Sequence, residues 1–267
     1  MKKHFSTILI VLFLIAGLSL LFYPTVSDYW NSFQQTRAIA AYHKAVSNLN
    51  EEEYEQILKQ AEEYNARIAQ NGIKWKLSDA EYGEYLSMLN VSGNGIMGYI
   101  DIGSINVKLP IYHGTEDRIL QIATGHIEGS SLPVGGTSAH CVISGQRGLA
   151  SARLFTDLDQ LSEGDVFTMH ILNESRSYQV DQIRIVLPED VSNLQVEYGK
   201  DYCTLVTGTP YGVNSHRLLV RGKRIDSIEN VQIIEDAKQI KAIYPAGILV
   251  GMMVFLLFVG IMLRYRR

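Results

Sequence analysis

Only two cysteines, Cys141 and Cys203, occur in the 267 residues. Two thiols build no disulfide framework, and they lack the paired spacing that a zinc site needs. No motif implies a metal or another cofactor, so the fold must rest on an ordinary apolar core, which a chain of this length can build. Charge is also missing over two long stretches: residues 5–23 and 244–263 contain no Asp, Glu, Lys or Arg. At about 1.5 Å of helical rise per residue, either run crosses a hydrocarbon core of about 30 Å. Nor is there an excess of positive charge. Apart from Lys2, Lys3, Arg264, Arg266 and Arg267 at the two ends, the chain has 19 basic residues against 28 acidic. That balance argues against nucleic acid as a partner and against adhesion to anionic lipid by charge alone.

Basic residues collect at the cytoplasmic ends of membrane spans. Lys2 and Lys3 precede the first run and the arginines follow the second, so both termini are expected inside the cell, with the intervening chain outside. No small-residue cleavage site follows the first run, which is therefore expected to stay as a span rather than leave as a signal peptide.

The expected organisation is an anchor over 1–26, a helical segment and linker over 27–95, a β domain over 96–228, a juxtamembrane segment over 229–243 and a second span with basic tail over 244–267. In the helical segment, Trp30, Phe33, Ile39, Tyr42 and Val46 can share a broad face. After a break at 47–50, Asn50 and Glu53 form a capping-box pair, Tyr54, Ile57, Ala61, Tyr64 and Ile68 follow at helical spacing, and Asn71-Gly72 ends the helix. From residue 96 the period shortens. Strands are expected over 96–102, 105–112, 139–145, 165–172, 176–185, 202–207 and 216–220, dense enough for a closed or nearly closed barrel. The long connections 113–138 and 186–200 are where binding is expected. No internal repeat or low-complexity tract is visible.

Four runs carry a resemblance: 125–136 (GHIEGSSLPVGG), 142–149 (VISGQRGL), 154–159 (LFTDLD) and 204–222 (TLVTGTPYGVNSHRLLVRG). In this order and spacing the chain resembles the sortases, specifically the class C, pilin-polymerising sortases of Gram-positive bacteria. The resemblance implies a sortase-type closed β-barrel, mainly β, with an N-terminal helical segment and a transmembrane helix at each end. It also implies a cysteine transpeptidase joining a pilin sorting signal to a pilin lysine. Its partners would be pilin subunits, their C-terminal sorting signals, or another sortase.

Carried over position by position, the arginine that steadies the substrate carbonyl is Arg217. The nucleophile position is Gly208 and the histidine position is Gln146. Glycine offers no atom for covalent catalysis, and an amide does not titrate near neutrality. Loss of such groups in triad enzymes costs about 10⁴ to 10⁶ in turnover, so an inactive binding or scaffold component is expected. The alternative is an active transpeptidase with an unconventional nucleophile such as Cys203 or Thr209. Strand alternation turns Cys203 away from position 208, and His126, His140 and His216 are expected to be structural or surface residues. Groove candidates are Thr207, Thr209, Pro210 and Tyr211. Class C members carry an Asp-Pro-aromatic lid; residues 71–95 contain no Asp-Pro pair, and Trp75 is the nearest lid candidate. Cys141 and Cys203 each lie five residues before a site position. If their strands run parallel, the two are neighbours.

Overall fold

The computed structural model describes residues 2–225. The expected second span, the juxtamembrane segment and the basic tail lie outside the described residues. Among the described residues, those from Ser27 belong to one compact unit and those before Ser27 to another.

The chain opens with α1 (Lys2–Ser47), one helix in which the expected anchor and the first part of the helical segment are continuous, with Pro24 inside it. Within Val11–Ser47 an 18-residue segment has mean hydropathy 1.7, and the helix is long and apolar enough there to cross a membrane. α2 (Glu51–Asn71) begins at Asn50 with the complete capping box to Glu53 and stops at Gly72, whose φ of 79° suits a residue without Cβ. Ala61, Tyr64 and Ile68 of its apolar stripe are buried. In α1, Ile39, Tyr42 and Val46 are buried while Trp30 and Phe33 are exposed, so the expected common face divides. The Tyr42 hydroxyl ties the helix to the barrel: it donates to the Met97 carbonyl at 2.9 Å and accepts the Leu172 N–H at 2.7 Å.

A third helix, α3 (Asp79–Ser87), was not expected, although Ser78 and Glu81 form a second capping box. The barrel follows: β1 (Ile96–Ile102), β2 (Val107–His113), a short α4 (Asp117–Leu120), β3 (Thr124–His126), β4 (Ala139–Gly145), β5 (Val166–Ile171), β6 (Glu174–Val186), β7 (Asp201–Thr209) and β8 (His216–Ile225). The strands close in the order β1-β2-β3-β4-β7-β8-β6-β5, with β2–β3 and β4–β7 parallel. Closure leaves no free edge in the ring. β3, the eighth strand, was missed because three residues are too short to show alternation. Inward-facing side chains such as Ile100, Ile143, Phe167, Leu205 and Val220 fill the interior and are buried.

Candidate active-site cleft

β4 and β7 run parallel in register, with Cys141 opposite Cys203 and Ser144 opposite Val206. Two steps further along this ladder come Gln146 and Gly208. The Thr207 hydroxyl donates to the Gly145 carbonyl at 2.7 Å and so holds the strands together up to that point. On its other side β7 pairs with β8, where Gly208 stands opposite Arg217. The topology therefore brings Gln146, Gly208 and Arg217 to one end of three adjacent strands.

Side chains alternate across a strand, so position 208 shares the outer face of β7 with Val206. Val142, Val206 and Leu219 form an apolar cluster there with Leu194, and Trp75, Ile127, Val186 and Val191 pack against it. Trp75 thus lies on the face that carries the three site positions.

A side chain at position 208 would find its space already taken. A Cβ built on Gly208 falls 2.4 Å from Oδ1, 2.7 Å from Cγ and 3.0 Å from Cβ of Asn214. Asn214 has φ 55°, and its N–H donates to the Pro210 carbonyl at 2.9 Å. Asparagine tolerates this left-handed conformation better than most residues. The Arg217 guanidinium turns back on the same turn, donating from Nη1 to the carbonyls of Asn214 at 3.0 Å and His216 at 3.1 Å.

On the β4 side, the Gln146 carbonyl accepts the Phe155 N–H at 3.1 Å. The next side chain, Arg147, is buried against Asp159, lies 5.9 Å from the Tyr211 ring centre and leaves its Nε without a partner. Among the groove candidates, Pro210 and Tyr211 are exposed, whereas Thr207 and Thr209 are buried. With its hydroxyl committed to the Gly145 carbonyl, Thr207 belongs to the strand seam instead of an open wall. Asn214 and Arg147 are the residues that the sequence reading missed; both sit inside quoted motif runs, but only the folded turns bring their side chains to the site.

Among the described residues, the hydroxyls, thiols and imidazoles named as alternatives lie as follows. His140 Nδ1 lies 2.8 Å from the Gln195 carbonyl, so Nδ1 donates and Nε2 accepts from the Thr204 hydroxyl, also at 2.8 Å. That pair has the form of a nucleophile and its base, yet each residue is only 1% exposed. Thr204 stands opposite Arg221, four positions along β8 from Arg217. Burial holds the His140 pKa below its ordinary value. His126 is enclosed between the Tyr85 hydroxyl at 3.0 Å and the Ser131 carbonyl at 2.9 Å. His216 lies beside the Ser215 hydroxyl at 3.0 Å. Cys141 and Cys203 are neighbours, as their spacing implied, and both are buried free thiols; Cys203 Sγ lies 3.6 Å from Met169 Sδ in the barrel interior. Among the described residues no cluster of His, Cys, Asp or Glu could hold a metal ion.

The model of the sortase domain matches residues 100–225. Sortase D of Bacillus subtilis is 28% identical over 131 residues, 48% of this chain and 63% of that protein, so the chain spans just under two thirds of that relative's length. The crystal structure of sortase C1 from Streptococcus agalactiae is 53% identical with a TM-score of 0.70, covering 72% of this chain and 99% of that one. The structure of Clostridium perfringens sortase C with the C-terminal cell wall sorting motif is 42% identical with a TM-score of 0.64, covering 72% of this chain and all of that one. With identity at this level sustained across almost the full length of the sortase C1 structure, and the same domain matched through the barrel, this chain belongs to the sortase family.

Proposed function

We propose that this chain is a membrane-anchored class C sortase homologue of a pilus assembly system, and that it binds pilin sorting signals without transferring them. One observation carries the reading: the position facing Arg217 across the β7–β8 pair is a glycine, and Asn214 fills its side-chain space. Acyl transfer through an enzyme thioester needs a sulfur at that point and a titrating group beside it, and Gly208 and Gln146 supply neither. Substrate class is inferred from relatives: sortase C of Clostridium perfringens was solved with a cell wall sorting motif. In this reading Arg217 and the exposed Pro210 and Tyr211 contribute to the peptide groove, Trp75 serves as its lid, and the barrel faces outward with both termini cytoplasmic.

The test uses a pilin sorting-signal peptide. The expected result is saturable binding with neither cleavage nor a covalent adduct on the wild-type protein. Gly208→Cys with Gln146→His, combined with Asn214→Gly to free the space that the Asn214 side chain fills, is then expected to give a thioester detectable by mass. Peptide cleavage by the wild-type protein would sink the reading.

A further inference from the structure

Beyond its apolar run, α1 has two unlike faces. One meets the barrel: Asp28 accepts the Arg153 N–H at 2.8 Å, Asn31 donates to the Ser151 carbonyl at 2.7 Å and Gln35 to the Ile122 carbonyl at 2.7 Å. At 3.6 residues per turn, Trp30, Phe33 and Arg37 fall on the other side. Trp30 is 60% and Phe33 47% exposed. Their ring centres are 6.3 Å apart, and the Arg37 guanidinium lies 5.8 Å from the Phe33 ring centre. The same three-and-four spacing runs back through Val26 to Tyr23, the last residue of the uncharged run. Aromatic rings of this kind concentrate where a membrane meets water, and a long basic side chain beyond them reaches phosphate oxygens.

We propose that Trp30, Phe33 and Arg37 form a stripe that seats this part of α1 in the headgroup layer of the membrane. The inference rests on reading residues 5–23 as a membrane span. An upright helix would carry Trp30 about 10 Å and Phe33 about 15 Å past Tyr23, whereas the headgroup layer is only about 5–8 Å deep on each side. The stripe therefore reaches lipid when the helix leans onto its aromatic face. Pro24 stands where that lean must begin: it has no N–H for the Leu20 carbonyl, which softens the helix just past the run.

The test uses the full-length chain in phosphatidylcholine vesicles, whose zwitterionic surface removes net charge attraction. The chain has two tryptophans, so Trp75→Phe leaves Trp30 as the reporter. Lipid brominated near the headgroup end of its acyl chains is expected to lower the Trp30 emission at least twofold. Phe33→Ser with Arg37→Ser is expected to remove most of that quenching. Should Trp75→Phe fail to fold, the difference in quenching between wild type and Trp30→Phe yields the same quantity. A protein that floats with the vesicles while Trp30 is quenched by aqueous iodide and untouched by brominated lipid overturns the stripe alone. A protein that fails to float overturns the membrane span and the stripe together.

Discussion

Asn214 and Gly208 exclude one another's side chains, and the magnitude of that exclusion is measurable. Replacing glycine by alanine in a compatible strand stabilises by about 0.4–1 kcal/mol through the unfolded chain. At position 208 the new methyl would meet Asn214 Oδ1 at 2.4 Å, and driving that side chain off its rotamer costs about 0.5–1.5 kcal/mol. The two effects nearly cancel, so Gly208→Ala alone says little. In an Asn214→Gly background, which suits the left-handed φ of 55°, Gly208→Ala is expected to be more favourable by about 1 kcal/mol in urea denaturation. A coupling of zero would show that Asn214 does not occupy the space. Burial raises the Cys141 thiol, with the neighbouring Cys203 thiol adding to it, and Cys203 is wholly buried. Iodoacetamide is expected to leave both cysteines unmodified in the native protein and to label both after unfolding. The mass should be the same with and without reductant. Rapid labelling of native Cys203 would reopen it as a nucleophile. Strand alternation made the inward turn of Cys203 legible in the sequence. Asn214 was not legible, because its contact depends on how a turn folds back over its own strand.

Among the elements, those with long periodic patterns were readable and those seated by backbone contacts were not. α2 announced its start, stripe and end, and the limits of β4 follow from the composition of 139–145 alone. β3 is too short, and α3 hides in a linker whose capping box passed unread. Trp75 belongs to this second class. Its segment approaches the barrel at Gly129, where a Cβ would lie 2.0 Å from the Lys74 carbonyl oxygen and 2.9 Å from its carbon. Gly129 also has φ 82°, a conformation that costs other residues about 1–2 kcal/mol. Since the obstructing atoms are backbone, Gly129→Ala must push the 72–78 segment away. Measured in a Trp30→Phe background so that only Trp75 emits, the variant is expected to show red-shifted fluorescence and a loss of about 1–2 kcal/mol in stability. An unchanged spectrum would mean that Trp75 holds its place without this contact.

At the scale of the whole molecule, buried imidazoles at the join between α3 and the barrel are expected to make the fold sensitive to acid. Tyr85 of α3 accepts the Gly114 N–H at 2.9 Å and stands 3.0 Å from His126 Nδ1. His126 Nε2 donates to the Ser131 carbonyl at 2.9 Å. His113 Nε2 lies 2.7 Å from the Met88 carbonyl and Nδ1 2.9 Å from the Gly95 carbonyl, and the neutral ring donates to one of the two. Burial lowers the His126 pKa to about 4, and it lowers His113, His140 and His170 in the same direction. An unfolded histidine titrates near 6.5. Between these values the unfolded state binds more protons than the folded one, so stability rises with pH there and falls as pH drops from about 6.5 towards 4. His126 alone accounts for roughly 3 kcal/mol of that loss. Denaturation midpoints measured from pH 7 down to pH 4 are expected to fall steadily, and His126→Asn is expected to flatten the slope while lowering stability at pH 7. Should that variant not fold, the imidazole resonances of the wild-type protein decide the matter: titration of His126 near 6.5 in the folded state would show that its ring is reached by water and that the join between α3 and the barrel is looser than its hydrogen bonds imply.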